Sequence, residues 1–97
     1  MDDKMGEFIA EKLSELLASV TFQHVYILCL EMGLNRKYTE YSKFIDAVVT
    51  LSQAYVTNMF SFQDKLDKNL SDEEKVSKAN DMAEVVCKTS IQAMINQ

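Results

Sequence analysis

His24 and Cys29 stand five residues apart in the stretch FQHVYILCLEMG, Phe22 to Gly33, which is otherwise almost wholly apolar. An imidazole that can take a thiol's proton is the pairing that makes a nucleophilic thiolate. The spacing does not deliver it: on a helix, five residues carry the chain about 140° around the axis, so ring and sulfur point apart. His24 is also the single histidine, which excludes any site needing two imidazoles within one chain. It is expected to be a hydrogen-bonded core residue, with a proton-dependent packing switch as its functional alternative.

Metal chemistry has no better footing. There is no HExxH, no paired-cysteine motif, no EF-hand loop with its glycine, and no Glu-x-x-His of the di-iron bundles. Glycine-rich phosphate cradles are absent as well. No catalytic residue, metal ligand or cofactor is assigned, and the chain is expected not to be an enzyme. One cluster has the chemistry for a small anionic ligand such as a nucleotide. Arg36, Lys37, Tyr38, Tyr41 and Lys43 surround the start of the middle helix expected below. Free N–H groups and the helix dipole favour anions there, tyrosine faces can stack on a base, and the cations can pair with phosphates. The alternative is that the cations keep a loop soluble and the tyrosines edge the core.

The elements that must position these residues follow from composition and pattern. A chain of 97 residues is one domain's worth, and zero prolines with two glycines, Gly6 and Gly33, disfavour a turn-rich sheet. Ten basic against 15 acidic residues give a net charge of −5, the wrong sign for a nucleic-acid backbone as partner. The acidity is concentrated in Met1–Leu34, where Glu7, Glu11 and Glu15 form an acidic face suited to a basic partner or to solvent. The uncharged runs Leu16–Leu30 and Ala47–Gln63 are 15 and 17 residues long. They carry polar residues and fall short of the roughly 20 apolar residues that span a bilayer. Met1-Asp2-Asp3-Lys4 leads into an amphipathic pattern rather than an apolar targeting core. Cys29 and Cys87 lack CxxC spacing and lie in apolar settings. Buried free thiols in a reducing cytoplasm are expected, with a disulfide as the alternative.

Helix boundaries come from local signals. In NLSDEEKV, Ser71 with Glu74 forms a capping box, and Asp72, Glu73 and Glu74 put negative charge on a first turn. Asn69 suits a left-handed C-cap, as does Gly33 with Leu34 folding back behind it. Asn35 or Thr39 is the expected cap of the middle helix. The helices are thus expected at about 4–32, 39–68 and 72–96.

In the first helix, Ile9, Leu13, Leu16, Leu17, Val20, His24, Ile27 and Leu28 share the expected core face, while Phe22, Val25, Tyr26 and Cys29 make its back apolar too. The middle helix carries a neutral polar stripe, Asp46, Thr50, Gln53, Thr57, Ser61 and Asp64, of the kind that meets another surface or solvent. The last helix offers a small-residue strip, Val76, Ala79, Ala83, Val86, Ser90 and Ala93, which permits close packing.

These features predict an all-α antiparallel three-helix bundle with long helices. The apolar back at Phe22, Val25, Tyr26 and Cys29, with Thr50, Gln53 and Thr57, predicts a partner or oligomer interface, and a symmetric homodimer is the commonest closed assembly. The leading functional expectation is a non-enzymatic, acidic, cytoplasmic interaction protein, a regulator or inhibitor that occludes a protein partner. Compact acidic helical chains without catalytic motifs are common among phage-encoded inhibitors, an association from size and composition. The alternative is an oligomeric binding protein that sequesters the small anionic ligand.

Overall fold

The computed structural model describes residues 20–97. Helix α1 occupies 20–32 of these, a 3-10 turn covers Leu34–Lys37, and α2 and α3 run over Tyr41–Lys65 and Asp72–Ile95. The described residues contain no strand. The expected start of the first helix, with Ile9, Leu13, Leu16, Leu17 and the acidic face Glu7, Glu11 and Glu15, lies outside them.

Side-chain pairings fix the helix directions. Lys37, just before α2, reaches the last carbonyls of α3, and Tyr55, midway along α2, meets Asn80. Helices α2 and α3 are therefore antiparallel. Tyr26 meets Tyr41 at the start of α2, whereas His24 meets Tyr55 and Glu84, so α1 runs against α2 and alongside α3. The result is an antiparallel helical bundle.

The boundaries show which local signals won. Gly33 takes the left-handed conformation at φ 86°, which only glycine adopts without strain, and Leu34 behind it is fully buried. Neither Asn35 nor Thr39 caps α2. That position falls to Glu40 in extended conformation, whose carbonyl accepts from Lys43 and Phe44 N–H, with no side-chain cap. Ser71 caps α3 as expected: its hydroxyl accepts from Glu74 N–H and donates to the Glu74 carboxylate, both at 3.2 Å.

The α2–α3 connection differs from expectation. Asn69 is not left-handed, since no described non-glycine residue has positive φ. Instead α2 stops at Lys65, and the Asp67 carboxylate accepts from Asn69 N–H at 2.9 Å. The local aspartate turn competes successfully with helix continuation.

The core joins Val25, Leu28, Cys29 and Leu34 to Phe44, Val48, Leu51 and Tyr55 of α2 and to Ala83, Cys87 and Ile91 of α3. Ala79 is also fully buried, so two of the small side chains of the α3 strip face the interior. Of the rest of that strip, Ser90 is half-buried, and Val76, Val86 and Ala93 are exposed. Among the described residues, the one buried polar side chain, Ser52, donates to its own helix at Val48 carbonyl.

Helix α1 is rotated from its expected orientation. Of the residues placed on the core face by periodicity, Leu28 is buried but Val20 and Ile27 are 69% and 52% exposed, while Val25 and Cys29 from the supposed back are fully buried. A helix segment apolar on all sides gives periodicity nothing to choose between. Val25 and Cys29 are therefore covered by this chain's own α2 and α3 and offer no surface to a second copy.

Candidate interaction surface

The line Phe44, Val48, Leu51 and Tyr55 turns α2 inward, which places the neutral stripe on the opposite side. Thr50, Gln53 and Thr57 are exposed there, bracketed by the exposed carboxylates Asp46 and Asp64. Thr50 Oγ1 donates to Asp46 carbonyl at 3.1 Å and Thr57 Oγ1 to Gln53 carbonyl at 3.0 Å. Both hydroxyl protons are thus used within the helix, and the outward surface of each threonine is its methyl and its oxygen lone pairs.

Apolar side chains are also exposed on both long helices. On α2, Val49 is 39% and Phe60 67% exposed; on α3, Met82, Val85 and Val86 are exposed as well. The Tyr55–Asn80 pairing fixes the antiparallel register, so counting six residues in each direction puts Val49 level with Val86. These apolar groups were not singled out as a surface by the sequence reading, because hydrophobicity alone assigns them to the core.

Phe22 and Tyr26, the remaining residues of the expected apolar back, are half-buried and line a separate open groove of about 350 Å³ with Gln23, Ile27 and Tyr41. Tyr26 and Tyr41 share a hydrogen bond between hydroxyls at 3.2 Å, which raises the Tyr26 pKa from its ordinary value, with desolvation adding to it. Phe22 stacks on Tyr26 at 6.0 Å between ring centres.

The basic and aromatic residues of the expected anion cluster do not gather in one place. Arg36 and Lys37 line a groove of about 400 Å³ with Met32, Gly33, Ile95 and Gln97, while Tyr41 belongs to the groove beside Phe22. Tyr38 packs on Phe44 at 6.3 Å, and Lys43 projects from the exposed side of α2. The Lys37 ammonium donates to the carbonyls of Met94, Ile95 and Gln97. This lysine is a clamp on the end of α3, where a cation also meets the negative end of the helix dipole. Lys37→Met, which keeps the aliphatic stem, is expected to lower stability by about 1–2 kcal/mol. Urea unfolding followed by circular dichroism measures it, and an unchanged midpoint would remove the clamp from the stabilising contacts.

His24 is not the core histidine expected from its neighbours. Its ring is half-exposed at the seam of the three helices, edge-on to Tyr55 at 5.6 Å between ring centres. Nε2 lies 2.9 Å from Glu84 Oε1, and Lys88 sits 3.8 Å from the other Glu84 oxygen. The close approach of Nε2 is an electrostatic contact and not an aligned hydrogen bond, since that buried atom has no partner in bonding geometry.

Cys29, which the sequence set against His24, is buried as a free thiol, as is Cys87. Burial pushes the Cys29 thiol up to about 12, with nearby Cys87 adding to the rise. That is the reverse of the lowered pKa that activates a cysteine. Among the described residues, no three acidic, histidine or cysteine side chains are placed to hold a metal ion, and no helix is long and apolar enough to cross a membrane.

Comparison with known proteins finds no matching family model, no similar curated protein and no similar solved structure.

Proposed function

We propose that this chain is a non-enzymatic interaction protein, a small cytoplasmic regulator or inhibitor that acts by laying its helix surface over a protein partner and that also assembles with itself. The observation that carries this reading is the uncharged stripe Thr50–Gln53–Thr57 with Val49 and Phe60 exposed beside it on the same helix. A face meant only for water carries lysine and glutamate, whereas an interface centre is depleted in charge and enriched in aromatic residues and methionine. Sequestering an anion is less well supported, because Arg36 and Lys37 are separated from the exposed Tyr41 ring and the Lys37 charge is already engaged by backbone carbonyls.

The test compares the intact protein with its Phe60→Glu variant as immobilised baits in extract from the source cells. Phe60 is exposed, so the variant keeps its fold by circular dichroism. The expected result is a specific protein retained by the unaltered bait and lost from the variant. Retention of the same proteins by both baits would remove this surface from partner binding.

A further inference from the structure

Lys43, Thr50, Thr57 and Asp64 recur every seven residues along the outward side of α2, and all four are exposed. A seven-residue step falls about 20° short of two helical turns, so such a line stays in contact along a neighbouring helix that crosses at roughly 20°. The order of chemical types is the informative feature. A cation occupies one end, an anion the other, and like threonines stand between them. Neither Lys43 nor Asp64 makes an ion pair among the described residues. A line of this kind is complementary to itself when reversed.

We propose that this line is a self-association surface, and that its occupant is a second copy of this chain, paired α2 against α2 in antiparallel fashion about a two-fold axis between Gln53 and Ala54. The inference rests on the self-assembly part of the reading above and specifies its geometry. Lys43 and Asp64 are 21 residues apart, which places each about 16 Å from that axis at 1.5 Å per residue. The two-fold brings Lys43 of each copy to Asp64 of the other, and Thr50 of each to Thr57 of the other.

The flanks also fit. Ala47, Ala54 and Ser61 repeat at the same spacing on one side, leaving room for close backbone approach. On the other side, the exposed Phe60 of one copy falls within a helical turn of the exposed Val49 of its mate, so self-pairing and capture of another protein use this face in turn. An isologous contact of this type closes on itself and yields a dimer.

Sedimentation equilibrium on the full chain at low ionic strength tests the assignment through charge reversal and rescue. Lys43→Glu and Asp64→Lys each turn two symmetry-related attractions into repulsions, and each single change is expected to raise the dimer dissociation constant roughly tenfold. The double variant exchanges the charges and is expected to recover to within about threefold of the original. Both residues are exposed, so circular dichroism should stay constant across the series. Dimerisation indifferent to both single reversals, or singles that weaken it without recovery in the double, would overturn the α2 pairing while leaving self-assembly intact. A parent protein that is monomeric at every concentration would overturn self-assembly and the pairing together.

Discussion

Phe44→Ala is expected to lower the unfolding free energy by about 3–5 kcal/mol, the largest loss from any single substitution considered for this chain. Phe44 is 2% exposed and sits at the centre of an aromatic group, with ring centres of Tyr26, Tyr41 and Tyr38 at 5.7, 6.2 and 6.3 Å. Truncation removes the ring's transfer free energy, opens a cavity, and ends tilted-ring contacts worth about 0.5–1.5 kcal/mol each beyond area burial. It also acts on three elements together, because Tyr26 belongs to α1 and Tyr38 to the connection before α2. Small domains have about 5–15 kcal/mol in total, so the variant should be marginal at room temperature. Urea denaturation provides the measurement, with tyrosine emission reporting the cluster in a chain that contains no tryptophan. A loss below about 1 kcal/mol would mean that the tyrosines close over the vacated space and that the ring is not the centre of this end of the bundle.

The second large effect is alkaline. Desolvation raises the Cys29 thiol from about 9 to about 12 and the Tyr55 phenol from about 10 to about 12, with the Glu84 carboxylate next in importance for Tyr55. Cys87 is shifted in the same direction, again by burial first. The folded chain therefore holds protons that the unfolded chain releases. The stability contributed by these groups is fully present below pH 9, and it is lost progressively as pH rises toward 12. For Cys29 between pH 9 and 12, and for Tyr55 between pH 10 and 12, the slope is at most about 1.4 kcal/mol per pH unit.

The expected observation is a urea midpoint that falls steeply with pH in this window, with a shallower fall in Tyr55→Phe and in Cys29→Ala. Each variant has a lower stability at neutral pH, because Tyr55 also donates to Asn80 and Cys29 fills core volume. It is the difference in slope that carries the test. Identical slopes in the parent and both variants would assign the alkaline loss to surface lysines instead.

Ser71 shows why some of the fold was legible. A hydroxyl followed three residues later by a glutamate is a local arrangement, and the α3 start needs nothing beyond those side chains and their own backbone. Gly33 is legible for the same kind of reason, since its left-handed conformation is a property of one residue. Ala79 and Ala83 were legible as buried positions because they recur at helical spacing, but the same spacing also included Val76, Val86 and Ala93, which are exposed. Asn69 misled because asparagine suits left-handed caps, whereas the Asp67 carboxylate two residues earlier closed an aspartate turn on its N–H instead.

The candidate surface was half legible. The polar stripe of α2 follows from periodicity, and its outward direction holds. The exposure of Val49, Phe60, Met82 and Val86 does not follow, because they differ from core residues only in where neighbouring helices stop covering them. The Lys37 clamp joins residues about 60 positions apart, a distance at which no local pattern exists. The His24–Glu84 approach is equally non-local.

The sequence by itself therefore determined the helical class, the Ser71 cap, the glycine turn and the polar line of α2, since each depends on residues within a turn or two. Only tertiary packing decided which way α1 faces. Both sides of its 20–32 segment are apolar, and the choice came from the volumes that α2 and α3 present to it, which buried Val25 and Cys29 and left Val20 and Ile27 outside.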